Sequence, residues 1–186
     1  MRWEALFADL TAQAEALERI ERDVDVADRT RIETGSVALR DRLAATVGRP
    51  VRLRCAGGVV VAGRLAQVGT DWLLMDEGSA REALVPLAAL LVAGGVRRRT
   101  LDALPAGSVA SRLGVRHVLR GIARDRSAAL LHLVDGTTIS GTIDRVGADF
   151  VEVAVHAAGE ARRRADVVDV AVVAVGALAA VRRATT

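Results

Sequence analysis

A chain of 186 residues that is 51% hydrophobic has material for one large core or two small ones. With aromatics at 2% and no Tyr, that core must be aliphatic, a composition that suits a base-stacking platform poorly. All 26 basic residues are Arg, a usage that fits a GC-rich genome, and the net charge is only +3. Residues 96–127 hold eight Arg against two acids, so positive charge is concentrated in the middle of the chain. Cys55 is the single cysteine, which excludes an internal disulfide and fits a reducing compartment. Charges at Arg2, Glu4 and Asp9 break up any N-terminal leader. The longest charge-free stretch, Ala83–Val96, contains Pro86 and is shorter than the roughly 20 residues of a membrane helix. A soluble, cytoplasmic protein with no membrane partner is expected.

Residues 1–48 read as helical. Trp3, Leu6, Leu10, Leu17, Ile20 and Val24 recur at three- and four-residue spacing, with Glu15, Glu18, Arg19, Glu21 and Arg22 on the other face. This amphipathic helix either packs on its own domain or pairs with a partner. A second helix near Ala27–Val47 is expected to break or bend at Gly35-Ser36.

Residues 49–95 read as a small β unit. Alternating apolar residues from Val51 run to a tight turn at Gly57-Gly58. The next strand has Gly63 at its middle, where a glycine permits a sharp bend or a bulge. A turn at Gly69-Thr70-Asp71 leads to a strand starting at Trp72. Short strands near Arg81–Val85 and Leu90–Val92 follow, joined at Pro86-Leu87-Ala88-Ala89.

The connector, residues 96–127, opens with Arg97, Arg98 and Arg99. Beyond Pro105 a helix is expected, with Ser108 as its N-cap. Arg112, Arg116, Arg120 and Arg124 follow at four-residue spacing and cover about a third of its circumference. Val109, Leu113, Val118, Leu119 and Ile122 supply the apolar face. The arginines are either a surface for phosphate or an acidic partner, or simply a solvated face. The stretch Val109–Val115 also resembles the start of a helix-turn-helix of the Fis type, which would make the chain a DNA-binding regulator. Against that, Arg116, His117, Arg120 and Arg124 come without Asn, Gln, Ser or Thr for base edges before Ser127.

Residues 128–186 repeat the first unit. Ala129–Val153 aligns without gaps on Val51–Met75, so that Leu53, Gly58, Gly63, Val68, Gly69 and Asp71 match Leu131, Gly136, Gly141, Val146, Gly147 and Asp149. Trp72 corresponds to Phe150. Fourth and fifth strands are expected near Asp166–Val173 and Leu178–Arg182, after a loop that carries Arg162, Arg163 and Arg164.

Each copy resembles the Sm-like (LSM) family, and the stretch DGTTISGTIDRVGADFVEV resembles its bacterial Hfq-type members. Other small SH3-like barrels share the same rhythm of turn, glycine and turn. The resemblance covers about 45 to 55 residues per copy. It implies a mostly β protein of two five-stranded Sm-like or SH3-like barrels, each preceded by helix. It also implies RNA as the ligand class, and open edge strands that can build a homo-oligomer. By charge, Arg97–Arg99, the row from Arg112 to Arg124 and Arg162–Arg164 are the RNA-contact candidates. Trp72 and Phe150 either stack on a base or plug the end of a barrel. The polar residues that Sm-like RNA binders carry after the second turn and fourth strand are replaced here. Those places read Asp71-Trp72-Leu73 with Val85-Pro86-Leu87, and Asp149-Phe150-Val151 with Ala174-Val175-Gly176.

No catalytic or metal site is expected. His117, His132 and His156 are scattered, and none has a ligand neighbour at metal spacing. Cys55 falls on an inward position, and Gly57-Gly58 lacks the Lys-Ser/Thr of a phosphate loop. A non-catalytic binding or assembly module without cofactor is therefore expected. Its alternatives are a protein–protein scaffold and, more weakly, the DNA-binding regulator.

Overall fold

The computed structural model describes residues 35, 37–96, 112–157 and 169–183. The chain divides after Ala38, and the fold described below is that of the second unit, from Leu39 onward. The amphipathic helix expected from Trp3 to Val24 lies outside the described residues.

This unit is mostly β, with a short helix ahead of each sequence copy. The first copy holds α1 (Leu39–Ala44), β1 (Pro50–Cys55), β2 (Val60–Val68), β3 (Trp72–Gly78), β4 (Arg81–Pro86) and β5 (Leu90–Gly94). The second holds α2 (Val115–Asp125), β6 (Ala128–Leu133), β7 (Thr138–Val146), β8 (Phe150–Val155), β9 (Asp169–Ala174) and β10 (Leu178–Arg183). Strand alternation appears as read: Val51, Leu53 and Cys55 of β1 point inward, while Arg52 and Arg54 point out.

All ten strands join one antiparallel sheet in the order β5-β1-β2-β3-β4-β10-β6-β7-β8-β9. The order within each half is the same. The sheet is open, ending at β5 and β9, where two separately closed sheets were expected. The reason is that β4 takes β10 of the other copy as its neighbour, pairing Leu84 with Val181 and Ala83 with Arg182. Alternation within a strand tells which face is buried but not which strand its edge will choose.

The glycines shared by the copies have the same task in both. A Cβ on Gly63 would run into the carbonyl of Asp76, and one on Gly141 into that of Ala154. The strands approach there too closely for any side chain. Two residues beyond each glycine the register slips, between Leu65 and Gln67 in β2 and between Ile143 and Arg145 in β7. Close approach and bulge together bend each half sharply.

Two aliphatic cores result, and they interlock. The first gathers Leu43, Leu53, Val61, Leu65, Leu73, Met75 and Val85 of the first copy, with Ala179 and Ala180 of the second. The other gathers Leu119, Leu131, Ile143, Val151, Val153 and Leu178 of the second copy, with Trp72 and Leu84 of the first. Each half thus completes the other's core.

The connector helix differs from expectation in where it starts. It begins at Val115, after Gly114 in an extended conformation, so Arg112 and Leu113 precede it. Its first backbone donor is taken by a side chain 44 residues away, the carboxylate of Asp71. A cap supplied from a distant turn is invisible to local pattern reading. The proposed cap, Ser108, lies outside the described residues.

Candidate interaction surfaces

A polar cluster joins the two copies at their seam. On β10, Arg182 donates through Nε to Glu77 Oε2 at 2.9 Å and through Nη2 to Glu77 Oε1 at 3.1 Å. Its Nη2 also reaches the Val60 carbonyl at 2.8 Å, and its Nη1 reaches His132 Nε2 at 2.9 Å. Glu77 and Val60 belong to the first copy, while Arg182 and His132 belong to the second. A planar guanidinium can hold all of these at once, which an ammonium could not.

This clasp also settles the state of His132. Because Arg182 can only donate, Nε2 must accept, so the ring is neutral with its proton on Nδ1, facing the Thr138 hydroxyl at 3.3 Å. Burial, and then the charge of Arg182, push His132 below its ordinary value of 6.5, with Glu77 pulling weakly the other way. The sign follows from which state takes up protons. Below about pH 6.5 the unfolded chain protonates His132 and the folded chain resists, so the stability held above that pH is lost as pH falls through it. Urea midpoints followed by circular dichroism should therefore drop between pH 7.5 and 5.5. His132→Gln, which keeps an acceptor for Arg182, should flatten that component, worth less than about 1 kcal/mol at this half-exposed site.

The second turn of each copy forms a matching pair of sites. In the first, the Trp72 ring lies over Gly69, and in the second the Phe150 ring lies over Gly147, leaving no room for a Cβ at either glycine. Backbone bonds match as well: Gly69 N to Trp72 O and Gly147 N to Phe150 O, both 2.8 Å. Leu87 N to Asp71 O at 2.8 Å corresponds to Val175 N to Asp149 O at 2.7 Å.

The outer surroundings of the two turns differ. Trp72 is 2% exposed and its Nε1 donates to the Leu113 carbonyl at 2.7 Å. Asp71 Oδ1 accepts from Val115 N at 2.7 Å. The turn of the first copy therefore receives the start of the helix that leads the second. Of the two readings of Trp72, its enclosure here fits packing rather than stacking. Phe150 is half-buried and Asp149 is exposed.

Of the arginine candidates, Arg112, Arg116, Arg120 and Arg124 are described, and all four are exposed on or just ahead of α2. Arg116 anchors its helix by donating to the Ala148 carbonyl at 2.7 Å. Arg97, Arg98, Arg99, Arg162, Arg163 and Arg164 lie outside the described residues. The helix they were grouped with packs against β7.

His117 is exposed, whereas Cys55 and His156 are enclosed. Cys55 is buried, and burial raises its thiol above the ordinary range despite the charge of Arg182. His156 is buried, donating through Nδ1 to the Ala157 carbonyl at 3.0 Å, with Nε2 at 2.9 Å from the Thr142 hydroxyl. Among the described residues no three His, Cys, Asp or Glu side chains gather at metal-binding range, and no helix is long and apolar enough to cross a membrane.

No protein-family model matches the chain, and no curated protein matches it.

The sequence shows the arginine row and the two turns but not the clasp of Arg182, Glu77 and His132. Its partners lie 105 and 50 positions from Arg182, beyond any local pattern.

Proposed function

We propose that this chain is a non-catalytic assembly module built from two Sm-like repeats, each a small curled β unit led by a helix, which joins partners by adding strands at its edges. One observation carries the reading. The two repeats are themselves joined that way, β4 to β10, with apolar residues from each buried in the core of the other. A buried, free Cys55 fits a reducing cytoplasm.

The test is the mass of the purified chain by light scattering, before and after ribonuclease treatment. An assembly module is expected to give a stable species at a multiple of 19.6 kDa that nuclease leaves unchanged. A species that stays at 19.6 kDa would overturn the reading.

RNA binding is the second reading, favoured by the exposed Arg112, Arg116, Arg120 and Arg124. It predicts an affinity for single-stranded RNA that falls steeply with salt. The slope of that dependence should shrink when Arg120 and Arg124, or Arg97–Arg99, are neutralised. Preference for duplex DNA, lost on changing Arg116 and Arg120, would instead point to the regulator.

A further inference from the structure

The antiparallel seam sets one apolar row across three strands. Leu74 of β3 pairs with Leu84 of β4, and Leu84 pairs with Val181 of β10. Directly opposite residues share a face of the sheet, so the three side chains form one floor. α2 supplies a wall. Val118, Ile122 and Asp125 follow at spacings of four and three, which aligns them along one side of that helix. Between wall and floor opens a cavity of about 190 Å³, lined on its apolar side by Leu74, Leu84, Val118, Ile122, Ala129 and Val181. Drug-sized ligands need roughly 300–1,000 Å³, whereas an apolar cavity of about 150 Å³ holds a benzene. This cavity suits a body the size of a leucine or phenylalanine side chain.

The repeated fold does not itself require an apolar wall at this place. Arg116 of α2 and Arg40 of α1 each donate to the second turn of their own repeat, to Ala148 O at 2.7 Å and to Gly69 O at 2.8 Å. Leu119 and Leu43, three residues further on in each helix, are fully buried. On that alignment Val118 and Ile122 correspond to Arg42 and Thr46 of the first repeat. There Thr46 turns its hydroxyl back to the Arg42 carbonyl at 2.9 Å. The apolar pair is particular to the second repeat.

The mouth of the cavity carries charges of both signs. Glu82 stands two residues from Leu84, and Arg183 two residues from Val181, so each lies on the same face as the apolar row. Asp125 closes the helix wall. All three line the cavity and are exposed, yet no ion pair joins any of them among the described residues. Arg183 is oriented by donating through Nη2 to Ser127 Oγ, another lining residue, at 3.3 Å. Arg182 beside it is already neutralised by Glu77 at 2.9 Å. Asp125 sits, moreover, at the C-terminus of a helix, whose carbonyl ends add to its negative potential and draw a cation.

We infer that this cavity is a binding site for a free, apolar α-amino acid. The side chain enters the aliphatic part, the ammonium goes to the carboxylates of Glu82 and Asp125, and the carboxylate goes to the guanidinium of Arg183. Only a ligand with both charges on one carbon answers both parts of the mouth. A simple organic cation leaves Arg183 unanswered, and an organic acid meets two carboxylates. A peptide end carries one of the charges without the other. Burial of the apolar body supplies affinity, and charge-assisted hydrogen bonds at the mouth supply selection. Leu74, Leu84 and Glu82 come from the first repeat and the other lining residues from the second, so the ligand bridges the seam and stabilises it. The site needs no partner chain and stands apart from the assembly reading.

Isothermal titration calorimetry of the full chain tests the site. L-phenylalanine is compared with phenethylamine and phenylpropionate, which lack its carboxylate and its ammonium, and L-leucine with isopentylamine and isocaproate. At least one of the two amino acids should bind, about tenfold or more tightly than its own amine and its own acid. Glycine, with no apolar body, should give no heat. Exposed mouth residues can be changed without disturbing the core, and circular dichroism verifies that the variants fold. Arg183→Gln should weaken the amino acid about tenfold and erase its advantage over the amine. Glu82→Gln combined with Asp125→Asn should erase its advantage over the acid. Silence from both amino acids overturns the proposal. So does an amine or acid that binds as tightly as its amino acid, or an affinity that neither variant changes.

Discussion

Trp72→Ala is expected to cost about 3–5 kcal/mol, the range for removing a fully enclosed large aromatic. Trp72 starts a strand of the first repeat, yet its ring is packed in the core of the second with Leu84, Val115 and Leu119. Its loss would open a cavity at the seam and strip the Leu113 carbonyl of its donor. Trp72→Phe separates these terms: it refills most of the space and removes only the hydrogen bond, which predicts a loss of about 1–2 kcal/mol. Phe150→Ala provides the contrast. Phe150 holds the equivalent place over Gly147 but is only half-buried, so in monomeric samples its truncation should cost clearly less than that of Trp72. Urea titrations at low protein concentration, followed by far-ultraviolet circular dichroism, measure all three. Equal losses for Trp72→Ala and Phe150→Ala would mean that the seam contributes nothing beyond what each repeat has on its own.

The same contrast shows what could be read from the sequence. Duplicated glycines, turns and alternating apolar positions were legible because each reflects a local constraint, such as a tight turn, a close strand approach or an inward face. The strand positions came out within a few residues for that reason. That Trp72 would be covered and Phe150 left half-open was not legible, because the two residues have the same local pattern. The difference arises from which repeat has a neighbour, and a neighbour is a property of the assembled sheet. Asp71 illustrates this. Its match with Asp149 places both residues in equivalent turns, and the turn is there in both copies. Its additional role, capping α2, depends on a helix that begins 44 residues later. The clasp of Arg182 and Glu77 spans 105 residues, beyond the reach of any periodic signal. The arginine row was legible as charge, since all four described members are exposed. What it meets is set by a partner's chemistry.

Replacing one glycine by alanine should have opposite effects at two places in this chain. Gly63→Ala and Gly141→Ala are each expected to destabilise by about 3 kcal/mol or more, enough to prevent folding in a marginally stable domain. The added methyl would strike a backbone carbonyl of the neighbouring strand, Asp76 or Ala154, and backbone in the middle of a sheet cannot rotate aside as a side chain can. Relief would require β2 to separate from β3, or β7 from β8, breaking the bend that the bulges two residues later depend on. Gly121 lies within α2 with open space where its Cβ would be. There the helix preference for alanine acts alone, and Gly121→Ala should stabilise by up to about 1 kcal/mol. Thermal or urea denaturation of the three variants beside wild type decides the matter. If Gly63→Ala or Gly141→Ala unfolded at the wild-type midpoint, the close strand approach would not be what bends the sheet, and the glycine matches between the repeats would lose their physical basis.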